Sequence, residues 1–157
     1  MGPHGKAPEL VYEFSYRAQL KPPVDVGAGP FGHRMVFEVI EGVVEGERLS
    51  GIILTGGGEW FSIQADGFGR IDVRFQMTTQ DGANIYFQYY GLLELNETTM
   101  AALGTAGPTD FEDHYFRTSP RLEAGDPRYA WVNQTMFVGK GHALPGFLIE
   151  YDVYRVT

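Results

Sequence analysis

Apolar and polar residues alternate with a period of two along nearly the whole chain, and this pattern constrains the fold more than any other feature. The first run covers residues 10–20, where every second residue is apolar or aromatic. Similar runs follow at residues 34–44, 47–55, 59–65, 69–79, 83–95, 113–118, 129–139 and 147–156. Because successive side chains of a strand point to opposite faces of a sheet, this period predicts about nine half-buried β-strands.

Short segments rich in glycine separate these runs, as expected for turns between antiparallel strands. They are Glu45-Gly46, Gly56-Gly57-Gly58, Asp66-Gly67, Gln80-Asp81-Gly82 and Lys140-Gly141. Asp-Gly pairs are among the strongest hairpin signals. Residues 21–30 and 104–113 are predicted as loops, and the second loop is a candidate lid or rim. Residues 96–103 are predicted as the one helix, with Asn96 as its N-cap.

The predicted fold class is all-β, either a sandwich or a closed antiparallel barrel, with one short helix. The chain of 157 residues has 11 Phe, 9 Tyr, 2 Trp and 21 Gly, which suits many strands joined by tight turns. Closure of nine or ten strands into a barrel would remove the edges that so many aromatic strands would otherwise expose. We expect residues 9–157 to form this single domain and residues 1–8 to be a disordered leader.

The net charge of −8 limits the partners of this chain. Nucleic acids and anionic membranes require clustered Lys and Arg, whereas the 12 such residues are spread along the sequence. The lack of cysteine excludes disulfides and thiolate metal sites, and the four histidines lack the spacing of metal ligands. We therefore predict no metal and no cofactor. Without a signal peptide or a long apolar stretch, a cytoplasmic location is expected.

Residues 70–77 carry charge on one of two strand faces. One face is apolar, and the other holds Arg70, Asp72, Arg74 and Gln76, with a carboxylate between two guanidinium groups. One face of an antiparallel sheet is commonly solvated, and ion pairs there stabilise only slightly. The charged face is therefore either exposed to solvent or part of the lining of a ligand site.

The neighbouring runs favour the ligand site. Several predicted strands have a face that mixes large aromatic rings with amide or hydroxyl groups. The residues that define these faces are Trp60, Tyr86, Gln88, Tyr129, Trp131 and Asn133. Ligand cavities combine aromatic walls with a few polar anchors in this way. We therefore expect these faces, together with the charged face of residues 70–77, to line the barrel interior.

This placement assigns a role to each candidate. Asp72 would orient the ligand or accept a proton, Arg74 would stabilise an oxyanion, and Tyr86 would donate a proton. Because neighbouring arginines keep a carboxylate ionised, Asp72 is a better organiser than a base. The candidates for substrate binding are Trp60, Arg70, Gln88, Arg117, Tyr129, Trp131, Asn133 and His33. Arg117 and Tyr129 belong to segments flanking a turn, and a turn pinned by Asp126 explains those segments equally well.

Several short motifs follow one another along the chain. They are Gly57-Gly58-Glu59-Trp60, Asp66-Gly67, Asp72-Val73-Arg74-Phe75, Asp81-Gly82-Ala83-Asn84-Ile85-Tyr86, Gly91, Tyr115-Phe116-Arg117-Thr118, Asp126-Pro127-Arg128-Tyr129-Ala130-Trp131-Val132-Asn133 and Tyr154-x-Val156. In order and spacing they resemble the domain-of-unknown-function family 3237, from about residue 10 to residue 156. The resemblance implies a lipocalin-like β-barrel and says little about activity. Where such sequences tend to have Asn two residues before Gly91, this chain has Tyr89, which implies a narrower or more aromatic pocket.

The leading functional hypothesis is a cofactor-independent barrel enzyme that uses acid–base chemistry on a small apolar, aromatic or polyketide-like molecule. Such an enzyme would be an isomerase, cyclase, hydratase or lyase. The alternative is a non-catalytic carrier or sensor of a small hydrophobic ligand, in which the Asp-Arg group only holds strands in register. A third hypothesis is an interaction module whose aromatic faces are packed core. A homodimer is the expected oligomeric state.

Overall fold

The computed structural model describes residues 2–157, so Met1 of the predicted leader lies outside the described residues. Residues 2–8 form neither helix nor strand. Ten strands, one α-helix and one 3-10 helix follow. They are β1 (Leu10–Leu20), β2 (Val24–Gly29), β3 (Gly32–Gly46), β4 (Gly51–Ile53), β5 (Gly58–Ile63), β6 (Phe68–Thr79), β7 (Asn84–Glu94), α1 (Glu97–Thr105), β8 (Phe116–Ala124), the 3-10 helix (Pro127–Gln134), β9 (Phe137–Leu144) and β10 (Leu148–Val156).

The strands pair antiparallel and close into a barrel of eight positions. Around the ring, β1 pairs with β10, and β9, β8, β7 and β6 follow in that order. The short strands β4 and β5 share the next position, because each pairs with both β6 and β3. β3 pairs with β1 and closes the ring, while β2 extends from β3 as a hairpin arm. The predicted all-β barrel with one short helix is confirmed.

Aromatic side chains on the inner faces of the strands form the centre of the core. Phe14, Phe75 and Phe87 are fully buried. The rings of Phe75 and Phe87 stack with their centroids 4.6 Å apart, and Phe14 meets Phe87 edge-on at 6.0 Å. Such pairs contribute about 0.5–1.5 kcal/mol each beyond the apolar area that they bury. An interior cavity lies away from these rings, where α1 packs against the barrel.

Several predicted boundaries differ from the structure; the strand predicted at residues 47–55, for example, covers only Gly51–Ile53. The predicted loop at residues 21–30 contains β2, which pairs with β3 through a register shift between Asp25 and Gly27. Gly27 has a φ of +88°, a conformation that glycine adopts without strain, so the irregular strand is accommodated there. The strand predicted at residues 113–118 instead covers Phe116–Ala124.

The strand predicted at residues 129–139 is a 3-10 helix followed by β9. Asp126 caps this helix by accepting a hydrogen bond from the backbone N–H of Arg128 at 2.9 Å. Pro127 occupies the first turn, where its missing N–H costs nothing. These two start signals outweigh the alternating pattern, so Tyr129, Trp131 and Asn133 do not share a strand face.

The helix α1 begins where the sequence predicts. Asn96 accepts a hydrogen bond from the backbone N–H of Thr99 at 2.9 Å, and the Thr99 hydroxyl accepts one from the backbone N–H of Asn96 at 2.8 Å. The residue after the helix, Ala106, is its C-cap and adopts the left-handed conformation with a φ of 60°. Thr99 and Leu103 are buried against the barrel. Within residues 2–157, no helix has the length and apolar character needed to cross a membrane.

Candidate functional site

The charged face of β6 lies on the outer wall of the barrel. The alternate apolar residues of this strand are buried, whereas Arg70, Arg74 and Gln76 are exposed and Asp72 is half-buried. The interior placement predicted for these residues is therefore wrong. Because strand residues alternate between faces, burying the apolar set in the core turns the charged set outward. The roles predicted for Asp72 and Arg74 required an interior placement, so these two residues are not positioned to perform them.

The polar faces of the neighbouring strands also lie outside. Tyr86 donates a hydrogen bond to the Oε1 atom of Gln88 at 3.3 Å, and Arg121 donates to the same atom at 2.8 Å. The Trp60 side chain, on β5, is 43% exposed. The interior placement predicted for Tyr86, Gln88 and Trp60 is therefore wrong for the same reason.

Two of the predicted binding residues meet on this outer wall. Arg70 and Arg117 border an open groove that Tyr90 also lines. Arg70 already pairs with Asp66 at 2.6 Å, and the Arg117 guanidinium lies 5.1 Å from the centroid of the Tyr115 ring. These arginines therefore have partners within the protein and do not reach the barrel interior.

The predicted binding residues of the 3-10 helix have structural partners. The Tyr129 hydroxyl donates to Asp81 at 2.7 Å. Asn133 holds the end of β8 through two backbone hydrogen bonds of 2.8 Å each. The Trp131 ring lies 3.8 Å from the Arg48 guanidinium. Of the two alternatives for this segment, a turn held by its own hydrogen bonds therefore describes it better than a ligand-binding role.

His33 lies on the β2–β3 hairpin, away from the other candidates. Its Nε2 atom is 2.6 Å from a carboxylate oxygen of Asp25 on the paired strand. Both side chains are substantially exposed. The structure therefore does not bring His33 to the residues with which the sequence grouped it.

The interior holds a cavity of about 40 Å³, large enough for a few water molecules. Most of the lining side chains are apolar, and α1 and the β9–β10 turn contribute Leu103 and Phe147. The polar side chains that line it are Glu59, Thr99, Thr109, His114 and Tyr151. A ring-sized ligand requires side chains such as Leu103 and Phe147 to shift. This apolar space with a few polar groups is the candidate site.

Glu59 is the carboxylic acid of the cavity. It lies on β5, on the same face as Phe61, which is fully buried. Within residues 2–157 it has no ion pair and no side-chain hydrogen bond. Burial, and to a smaller extent the negative charge of Asp72 on the adjacent strand, together raise the pKa of Glu59 from 4.5 to about 8. At neutral pH this carboxyl group is therefore mostly protonated.

Tyr151 lines the cavity and packs against two further buried tyrosines, Tyr16 and Tyr89. The rings of Tyr16 and Tyr151 stack with their centroids 4.7 Å apart, and Tyr89 meets Tyr151 edge-on at 5.6 Å. Burial raises the pKa of all three hydroxyl groups well above 10, and their mutual proximity adds to this effect. The Tyr16 hydroxyl has no hydrogen-bond partner among the described residues. These groups are neutral hydrogen-bond donors.

His114 reaches the cavity from the loop before β8. Its side chain is fully buried, and its Nδ1 atom is hydrogen-bonded to the carboxylate of Asp113. Its Nε2 atom is buried and has no partner among the described residues. An unpaired buried polar atom is costly, so a ligand or a water molecule that reached this nitrogen would be favoured.

The sequence contains a signal for Glu59 that the strand patterns obscured. Glu59 is an acid in phase with Phe61 and Ile63, so it belongs to the apolar face of its strand. The predicted site lies instead on the opposite face of this strand, which carries the aromatic Trp60. No comparable signal exists for His114, because it lies in a loop where no periodicity assigns a direction.

Within residues 2–157, no group of three or more His, Asp or Glu side chains is placed to hold a metal ion. The donors in the cavity are one carboxyl group, one imidazole and several hydroxyl groups, contributed by different elements. The expectation that the protein needs no metal or cofactor stays a prediction.

Comparison with known proteins supports the resemblance seen in the sequence. The family model described as "Protein of unknown function (DUF3237)" matches residues 8–156. A UPF0311 protein of Rhodopseudomonas palustris is 30% identical over 148 residues, covering 94% of this chain and 96% of the relative. A UPF0311 protein of Clostridium acetobutylicum is 29% identical over 140 residues, covering 87% of this chain and 89% of the relative.

Solved structures share the barrel. A conserved protein of unknown function from Rhodopseudomonas palustris has a TM-score of 0.87 at 29% identity, covering 100% of both chains. A beta-barrel-like protein from Acinetobacter baumannii has a TM-score of 0.83 at 29% identity, covering 98% of this chain and 99% of the other. An enzyme from Penicillium herquei has a TM-score of 0.72 at 18% identity, covering 100% of both chains. This last similarity concerns the fold alone.

Proposed function

Because this chain belongs to the DUF3237 family, described as proteins of unknown function, we propose a function from its own interior. A small, mostly apolar molecule binds in the barrel cavity, and Glu59 exchanges a proton with it. The protein is thus a cofactor-independent acid–base enzyme, and isomerisation by proton relocation is the reaction that best matches the available groups.

The observation that carries this proposal is the environment of Glu59. A carboxyl group without a partner, facing an apolar cavity, is unfavourable for stability and typical of catalytic acids and bases. Its pKa of about 8 lies near neutral pH, where a proton-transfer group works best. A positioned acid or base of this kind contributes about 10²–10⁴-fold in rate.

The other groups of the cavity suit the same chemistry. The neutral hydroxyl of Tyr151 can donate a hydrogen bond to a developing oxyanion. The apolar walls strengthen such interactions because they exclude water. The structural similarity to one enzyme is compatible with catalysis but does not extend to its reaction.

A carrier or sensor of small hydrophobic ligands is the second candidate. The apolar lining favours it, since such a lining binds ligands without any chemical step. In that case Glu59 and His114 would serve only to orient the ligand. A cytoplasmic location and a homodimeric state remain further proposals from the sequence.

The isomerisation of 3-cyclohexen-1-one to its conjugated isomer tests the proposal. In this reaction one proton leaves C2 and one is added at C4, so the molecular formula is unchanged. The carboxylate form of Glu59 would take the first proton and return it. We expect the rate, followed by ultraviolet absorbance, to rise with pH to about 8 and then level off.

The decisive comparison is between Glu59→Gln and Glu123→Gln. Glu123 is an exposed carboxyl group on β8, 3.6 Å from Arg121. We expect Glu59→Gln to slow the reaction about 100-fold and Glu123→Gln to match the wild type. If wild type and Glu59→Gln are equally slow although the ketone binds, the carrier function replaces catalysis.

A further inference from the structure

Asp113 and His114 form a hydrogen-bonded pair with a defined orientation toward the solvent and the interior. The proton transfer proposed for Glu59 does not involve this pair. The His114 ring is enclosed, with none of its side-chain surface exposed, whereas 39% of the Asp113 side chain is exposed. The imidazole is thus held from the solvent side by a carboxylate, while the residue lines the cavity and its other nitrogen has no partner among the described residues. The His114 ring lies beside Phe116 of β8, with the two ring centroids 5.9 Å apart. His114 also lines the same cavity as residues of α1.

The carboxylate decides which nitrogen of His114 carries the proton. An ionised carboxylate only accepts hydrogen bonds, so it selects the tautomer with hydrogen on Nδ1. Partial burial works against ionisation of Asp113, but hydrogen bonds from His114 and from the backbone N–H of Asp110 outweigh it. The pKa of the Asp113 carboxyl group therefore lies below its ordinary value. The Asp113 carboxylate is also fixed by that backbone N–H at 3.1 Å.

In the neutral imidazole, the Nε2 atom is then an acceptor. It is buried without a partner among the described residues. A purely apolar ligand would leave it unpaired, at the cost of a lost hydrogen bond. A ligand hydroxyl group would satisfy it, while the protonated Glu59 and the Tyr151 hydroxyl remain available to donate to the ligand oxygen.

We propose that His114, held by Asp113, recognises the ligand by accepting a hydrogen bond at Nε2, and that the ligands are small apolar molecules bearing a hydroxyl group, such as a phenol or an enol. This inference rests on the proposed function, because it assumes that the interior cavity is the binding site. The proposed function allows any small apolar ligand, whereas this inference restricts the ligands to apolar molecules that carry one hydrogen-bond donor. His114 is the specificity-determining residue, and Asp113 is a positioning residue.

Binding of two matched probes tests this inference. 4-Fluorophenol and 4-fluorotoluene have the same ring and nearly the same size, and only the phenol can donate a hydrogen bond. Their affinities are measured by fluorine NMR for the wild type and for three variants, His114→Phe, Glu59→Gln and His142→Phe. His142 is the matched control, because it stacks on Phe111 with ring centroids 3.8 Å apart and bonds Glu150 at 2.8 Å.

We expect wild type and His142→Phe to bind the phenol about tenfold more tightly than the toluene, the value of one satisfied buried hydrogen bond. His114→Phe should bind both probes equally, and Glu59→Gln should keep the preference. A preference that survives in His114→Phe overturns the inference, and so does its loss in Glu59→Gln alone. If neither probe binds the wild type, the cavity is not a ligand site, and the proposed function fails together with the inference. If the wild type binds 4-fluorotoluene as tightly as 4-fluorophenol, the inference is overturned but the proposed function is not.

A measurement on the unmodified side chain covers the case in which His114→Phe does not fold. Nitrogen-15 NMR of the wild-type protein distinguishes the two imidazole tautomers. We expect His114 to carry its proton on Nδ1, and Asp113→Asn to weaken this preference and reduce the phenol selectivity. A proton on Nε2 in the wild type would make this nitrogen a donor and would overturn the inference.

Discussion

Two glutamates of this barrel, the buried Glu13 and the half-buried Glu59, differ in their partners. Glu13 forms ion pairs with Arg48 and, at 3.6 Å, with Arg155. Glu59 faces the interior cavity and has no such partner within residues 2–157. A buried carboxyl group without a counter-charge becomes neutral instead of remaining ionised, which gives it a usable proton near neutral pH.

The pH dependence of stability reports on Glu59 directly. Its pKa of about 8 in the folded state lies above the ordinary value of 4.5, so the folded state binds more protons than the unfolded state between these values. The free energy of unfolding therefore falls as pH rises through this range, by at most about 4–5 kcal/mol. We expect Glu59→Gln to remove this decline in urea denaturation between pH 5 and 9. Glu123→Gln should retain the wild-type profile, and an unchanged profile in Glu59→Gln would contradict the assignment.

Asp72 influences the interior from the outer wall. Its charge raises the pKa of Glu59, so the Asp72→Asn variant should lower that pKa below 8. Carbon-13 NMR of labelled glutamate side chains measures the shift. Arg74→Met is the control, because Arg74 is exposed on the same face and is not among the causes of the Glu59 shift. A Glu59 pKa that does not respond to Asp72→Asn would show that the two charges do not interact.

At the scale of elements, the wall beside the cavity depends on a close fit between β5 and β6. The Phe61 ring of β5 lies directly over Gly69 of β6, and a Cβ atom at Gly69 would be 2.0 Å from the ring. Only glycine permits this approach. The ring lines the cavity because of this arrangement, so a glycine on β6 determines the shape of the site.

Gly69→Ala tests this fit. The added methyl group must displace the Phe61 ring, so we expect the free energy of unfolding to fall by about 1–3 kcal/mol. The matched control is Gly104→Ala in α1, where no atom lies within 4 Å of the added group. There alanine favours the helix, and stability should be unchanged or higher by about 1 kcal/mol. Urea denaturation measures both, and equal stability of Gly69→Ala and wild type would contradict the packing argument.

At the scale of the whole molecule, β1 and β10 bring the two ends of the described barrel together. The backbone N–H of Thr157 donates to the carbonyl of Glu9 at 2.9 Å, and Leu10 pairs with Val156. Closure of the ring therefore begins at residue 9. The segment before it contributes one exposed ion pair, between Lys6 and Glu9.

Deletion of residues 2–8 tests this boundary. Because these residues are exposed and form no strand, their loss should change the free energy of unfolding by less than about 0.5 kcal/mol. Thermal and urea denaturation of the shortened protein provide the comparison. A larger loss of stability would mean that the segment packs on the barrel in solution.

Local patterns were enough to predict most of the secondary structure and a fold of either a sandwich or a barrel. The alternation in β6 and the turn at Asp66-Gly67 are properties of neighbouring residues, and Asn96 caps its helix through contacts within one turn. The same reasoning failed at Tyr129, because the helix start at Asp126 and Pro127 competes with the alternation and wins. It failed for the candidate site because period-two alternation separates two faces without saying which one is inside.

The sequence alone therefore determined most of the strands and the helix cap, since these follow from the period of the side chains and from turn chemistry, and the resemblance of its motifs to a known family selected the barrel over the sandwich. The tertiary structure decided which face of β5 and β6 is interior, which placed Asp72 and Arg74 outside and Glu59 inside. It also brought His114, from a loop without a pattern, to the same cavity as Glu59. The physical reason is that the inside of a barrel exists only once all its strands have closed, so its lining depends on residues distant in sequence.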